Sequence, residues 1–164
     1  MEKGNTALIL NPFLEGIREA GAEVDLFYTW KLNINPCSGG LNCWFKTPGE
    51  CYQDDDMQLL YPKIEEADVF VFASPLDVDK VNRPMKNLID RMLPRIQRFV
   101  EVRDGSCRHP LRGTPKICKL VLVSKCGLWE MESFDSLLVH MKAFCKIASF
   151  EFAGALLRPH GEAM

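Results

Sequence analysis

What this chain lacks narrows its role before any motif is read. No apolar run approaches the roughly 18 residues that cross a bilayer, so a membrane-spanning part is not expected. The opening Met1-Glu2-Lys3-Gly4-Asn5-Thr6 has no long apolar core of the kind a secretory leader carries. Neither charge sign dominates: the formal net charge is −2, which gives no basic field for nucleic acid. Histidine is scarce, and His109, His140 and His160 are scattered, so none stands near a cysteine pair to complete a zinc set. Repeats and low-complexity tracts are missing. So are the P-loop, the Gly-x-Gly-x-x-Gly fingerprint and the Gly-x-Ser-x-Gly elbow.

What is present describes one globular domain. A length of 164 residues with 47% hydrophobic and 26% charged side chains suffices for a buried core, read here as a single domain over 1–164. Seven cysteines, an odd number, in a chain without a leader fit a reducing cytoplasm better than a disulfide framework.

Two segments read as strands buried on both faces: Asp68-Val69-Phe70-Val71-Phe72-Ala73 and Lys119-Leu120-Val121-Leu122-Val123-Ser124. Glu23 to Tyr28 alternates and suits an edge strand, and Phe150 to Leu156 alternates as well. Between them lie helical patterns. Met57 to Glu66 follows the carboxylates Asp54 to Asp56, which suit a helix start. Pro84 to Val100 carries apolar residues at helical spacing, with a kink or restart due at Pro94. Phe134 to Ile147 has an apolar stripe, with Ser133 as its cap. Thr6 to Gly21 is read as a helix despite Pro12; the alternative is an extended Thr6 to Leu10 with Asn11 capping a later helix. Alternating strands and helices predict an α/β layered domain with a mainly parallel sheet, whose ligands bind at the carboxyl ends of the strands.

One loop is chemically conspicuous. Cys37, Cys43 and Cys51 are spaced Cys-x5-Cys-x7-Cys among glycines, just before an acidic run. Thiolates so grouped suggest soft-metal or redox chemistry, yet the set is one ligand short. The other reading is that they pack as small hydrophobes.

Several motifs in order resemble a known group. These are Gly4-Asn5-Thr6, the cysteine loop, Ala73-Ser74-Pro75, Met85-Lys86-Asn87-Leu88-Ile89-Asp90-Arg91 and Ser124-Lys125-Cys126-Gly127. Together with Phe152 to Pro159 they resemble the NAD(P)H-dependent FMN reductase and iron–sulfur flavoprotein families of the flavodoxin-like superfamily. The resemblance implies a three-layer α/β/α fold whose first strand is missing here. It implies FMN as cofactor, NAD(P)H as co-substrate, a separate electron acceptor, and assembly as a homodimer or homotetramer.

It also implies site residues: Gly4, Asn5 and Thr6 at the FMN phosphate, with Ser74, Pro75, Leu76, Lys125, Cys126 and Gly127 along the ring. A carboxylate, Asp77, stands where the family usually carries an aromatic residue. No side chain is implied as a catalytic acid or base. In the iron–sulfur members the cysteine loop ligates a 4Fe–4S cluster. Gly40 stands where the second ligand belongs, so Cys37, Cys43 and Cys51 are the metal candidates and their set argues against a cluster.

Overall fold

A computed structural model describes residues 4–103, 105–113, 116 and 118–161. Its centre is a parallel sheet of three strands in the order β1 (Val69–Pro75), β4 (Cys118–Lys125), β5 (Phe150–Arg158). The register sets Ser74 beside Ser124, Pro75 beside Lys125, and Lys125 beside Arg158. Three chain segments therefore leave the sheet together at its carboxyl edge.

The pleat of β4 divides the core. Cys118, Leu120 and Leu122 point into the larger apolar cluster, with Leu60 and Ile64 of α3 (Met57–Glu66), Leu88 of α4 (Arg83–Asp90), and Leu137 and Met141 of α5 (Asp135–Ala148). Val123 faces the other way, onto Leu10 and Leu14 of α1 (Asn5–Glu19). Three layers result, α on β on α, as the sequence predicts. The near-continuous apolar character of β1 and β4 follows from cover on both faces.

The N-terminal segment is a helix throughout. Pro12 sits within α1, where it removes one backbone bond without ending the helix. Four expectations need correction. Glu23 to Tyr28 is extended but belongs to no strand. Val24 packs on the α1 cluster and Asp25 bridges Lys63 of α3 at 2.9 Å, so the alternation is real. A strand also needs a ladder partner, and among the described residues β1 pairs only with β4.

The long helix predicted to Val100 ends at Asp90 instead. A short 3₁₀ turn follows at Leu93–Arg95, where Pro94 blocks an α-helical continuation. The chain then forms an antiparallel arm, β2 (Glu101–Arg103) with β3 (Ser106–Arg108), which sequence patterning does not anticipate. Arm residues Phe99, Val100 and Val102 are largely exposed. Ser133 is not a cap, because it lies inside a 3₁₀ turn (Met131–Phe134) that leads directly into α5. Finally, Ser74-Pro75 does not stop the first buried strand; β1 runs through Pro75.

Candidate functional site at the carboxyl edge of the sheet

The three segments singled out in the sequence converge. The Leu76 backbone N–H donates to the Lys125 carbonyl at 2.8 Å, which ties the loop after β1 to the loop after β4. The Cys126 N–H donates to the Arg158 carbonyl at 3.1 Å, and the Gly161 N–H to the Cys126 carbonyl at 2.8 Å. The Asn5 side-chain amide then donates to the Gly161 carbonyl at 2.8 Å. The start of α1 thus reaches the Lys125–Gly127 loop through the turn that follows β5. Gly161 is the residue this join requires: a Cβ there would come within 2.8 Å of Lys125 Cδ and 3.4 Å of the Cys126 carbonyl oxygen.

The start of α1 is chemically open. Gly4 caps it in an extended conformation, with no side-chain bond and no acidic residue in the first turn. Such a helix end presents N–H groups and the positive pole of the dipole to an anion. At the carboxyl end of β4, Ser124 Oγ is buried and finds no hydrogen-bond partner among the described residues. Its register partner Ser74 is fully used: Ser74 Oγ accepts from the Asn82 N–H at 3.0 Å and donates to the Pro75 carbonyl at 2.9 Å. The amides of Leu76 and Cys126 are consumed within the protein, so neither is left to meet a ring. An uncapped helix end and an unspent hydroxyl at the edge of a parallel sheet fit a phosphorylated planar cofactor.

The cysteine loop lies apart from this edge and is held by a motif read as part of the resemblance alone. Asn87 and Arg91, one helical turn apart on α4, both reach across to it. Asn87 Nδ2 donates to the Ile34 carbonyl at 3.0 Å, and Arg91 Nη1 to the Asn35 carbonyl at 2.9 Å. Arg91 also forms a two-pronged pair with Asp55, Nη1 to Oδ2 at 2.6 Å and Nη2 to Oδ1 at 3.0 Å. Asp55 in turn accepts from the backbone N–H groups of Asn35 and Met57. Sequence patterning assigns Asp55 to a helix start, and it does accept the Met57 N–H. The tie to Arg91 crosses 36 positions and carries no local signal.

Within that loop Cys37 is exposed, Cys43 is buried and Cys51 is intermediate, and all three are free thiols. Burial pushes the Cys43 thiol up, and the neighbouring Cys51 and Cys37 push it further in the same direction. A metal site does the opposite, lowering ligand pKa values. Among the described residues no three Cys, His, Asp or Glu side chains are arranged to hold a metal ion. The donors do not fit a 4Fe–4S cluster. A 470 Å³ cavity opens beside Cys51, Tyr61, Arg95 and Arg112, away from the carboxyl edge.

A family model described as NADPH-dependent FMN reductase matches residues 1–122. The chain belongs to this family. Its curated relatives include an iron–sulfur flavoprotein of Archaeoglobus fulgidus, 40% identical over 91 residues, which are 56% of this chain and 40% of that protein. A second, from Methanocaldococcus jannaschii, is 34% identical over 92 residues, 56% of this chain and 47% of the relative. The matched stretch thus spans less than half the length of either relative.

Solved structures share the fold. An FMN-dependent NADH-azoreductase of Bacillus anthracis in complex with FMN superposes with a TM-score of 0.69 at 12% identity, covering 100% of this chain and 83% of that one. The NAD(P)H:quinone oxidoreductase of Methanothermobacter marburgensis gives 0.63 at 16% identity, covering 97% and 78%. The fold of this family member is flavodoxin-like, as the sequence motifs imply. No helix among the described residues is long and apolar enough to cross a membrane.

Proposed function

We propose that this family member binds FMN at the carboxyl edge of its sheet and serves as an NAD(P)H-dependent oxidoreductase. One observation carries the reading: the uncapped start of α1 is joined, through Asn5 and Gly161, to the loops that leave β1 and β4. Gly4, Asn5 and Thr6 hold the phosphate there, with backbone N–H groups and the helix dipole meeting its charge. Ser74, Pro75 and Leu76 on one side and Lys125, Cys126 and Gly127 on the other flank the ring. FMN, when bound, supplies the chemistry, taking hydride from a nicotinamide and passing electrons to an acceptor.

The protein's share is positioning and charge. Lys125 favours negative charge developing on the ring. Asp77, a carboxylate in place of an aromatic, neither stacks nor excludes water, so the outer face of the ring stays accessible. No acid or base is assigned, since no side chain at the edge is placed for that work. The exposed Phe99, Val100 and Val102 on the arm support assembly as a homodimer or homotetramer, in a cytoplasmic setting that keeps its thiols free.

The test is a titration of the protein with FMN, followed by quenching of flavin fluorescence and by visible absorbance, then NAD(P)H oxidation by the loaded protein. Saturable binding at or below tens of micromolar, on the order of −6 kcal/mol, supports the reading. Absence of binding at that level sinks it.

A further inference from the structure

Trp129 stands four residues beyond Lys125 on the loop that lines the proposed ring site, and it is 72% exposed. An indole left that far in water is unusual for so large an apolar group. It is nevertheless held. The His160 imidazole stacks on it with ring centroids 3.8 Å apart and planes 22° from parallel.

The pair is fixed from both sides. The His160 N–H donates to the Leu128 carbonyl at 2.7 Å, the Gly161 N–H to the Cys126 carbonyl at 2.8 Å, and the Cys126 thiol to the Leu128 carbonyl at 3.3 Å. His160 occupies the left-handed region, φ +51°, which a histidine adopts only at some cost. The imidazole therefore covers one face of the indole, and the exposure of Trp129 leaves the other open. Leu128 and Met131, 57% and 49% exposed, extend the apolar surface around it.

We propose that Trp129, backed by His160, is a preformed stacking platform for the planar ring of the electron acceptor, and that the acceptor is an uncharged quinone. This rests on the FMN reading given above. A large, ordered aromatic face gives up little conformational freedom when a ring settles on it. Electron-rich indole pairs best with an electron-poor ring, and quinones are electron-poor. The local charge decides against a nicotinamide dinucleotide: Glu130 and Glu132 flank the platform and both are exposed, which repels a pyrophosphate and leaves a neutral ring unaffected. The high exposure of Trp129 places it on the rim of the site, where a second substrate arrives.

The platform is tested first without cofactor, by titrating the protein with menadione and following tryptophan emission, with isothermal calorimetry as a second readout. The expected result is saturable quenching that disappears in Trp129→Phe, whose remaining Trp30 and Trp44 serve as the reference. Calorimetric affinity should fall about ten-fold in Trp129→Ala, equivalent to ~1.4 kcal/mol, less in His160→Ala, and little in Trp129→Phe. In FMN-loaded protein the Trp129→Ala change should raise KM for menadione and leave KM for ferricyanide, which has no ring to stack, where it was. Equal menadione affinity in wild type and Trp129→Ala overturns the proposal. So does an equal loss of FMN affinity in Trp129→Ala, since the indole would then face the flavin. If wild-type protein fails to bind FMN, the proposed function fails and the proposal that rests on it falls too, whereas a menadione result alone leaves the function standing.

Discussion

Arg91 and Asp55 meet at 2.6 Å with side chains 1% and 0% exposed, and that contact fixes the cysteine loop to the helical layer. Two ions out of water are costly, so the pair persists only because each prong and each spare oxygen is used. Asp55 accepts from Arg91, Asn35 and Met57 together, and the Arg91 carbonyl accepts from the Tyr61 hydroxyl at 2.8 Å.

Removing one partner strands the other. Asp55→Ala should cost about 3–5 kcal/mol, read from urea denaturation by circular dichroism. Replacing both residues with apolar ones of similar volume should recover much of that loss. A double variant no more stable than Asp55→Ala would show that the pair does not act as a unit.

Acid should reveal the same contact. Burial on its own raises the Asp55 carboxyl, but the Arg91 bonds and the two backbone N–H groups outweigh it and the net shift is downward. A depressed carboxylate contributes stability that is present above its unfolded value, about 3.9, and is lost as pH falls through the folded one. His140 acts in another window. Burial, then Lys86 and Lys80, lower its pKa, so the unfolded chain takes up a proton first and stability declines as pH falls through about 6.5. Urea midpoints measured from pH 8 to pH 2 should show both declines. Asp55→Asn should flatten the lower one and His140→Gln the upper one.

Thiol reactivity should separate the cysteines by burial. Cys37 and Cys107 are exposed, whereas burial pushes Cys145 up to about 11 and also raises Cys43. Ellman's reagent at pH 8 should label two thiols quickly in native protein and all seven in guanidinium. Fast labelling of Cys43, located by peptide mass, would contradict its packing.

Core and cap should differ in size of effect. Leu122 is fully buried at the centre of β4, so Leu122→Ala should cost about 2–5 kcal/mol. Asn82 caps α4 by accepting the Met85 N–H at 3.2 Å, so Asn82→Ala should cost only about 0.5–2 kcal/mol. Chevron or equilibrium denaturation of both variants checks the order.

Local patterning was sufficient wherever an element's own residues decide its state. The apolar runs of β1 and β4, the stripe of α5 and the alternation of β5 are each readable because burial on a given face recurs with a fixed period. It misled where a partner decides. Glu23 to Tyr28 has strand chemistry without a ladder neighbour, and the residues after Pro94 form an arm through pairings such as Gln97 N–H to the Pro110 carbonyl at 2.8 Å.

By itself the sequence determined the layered α/β class, the family, and the three short segments that end up at one edge of the sheet. Their number and order are written in motifs a few residues long. The tertiary structure alone decided how those segments touch: Asn5 meets Gly161, Gly161 meets Cys126, and Trp129 lies flat on His160. It also decided that Cys37, Cys43 and Cys51 share a loop without forming a ligand set, and that Arg91 holds that loop down. The physical reason is range. Periodicity and capping act over one or two turns of chain, whereas the Asn5 bond spans 156 positions and the Arg91 pair 36, and only folding brings such partners within reach.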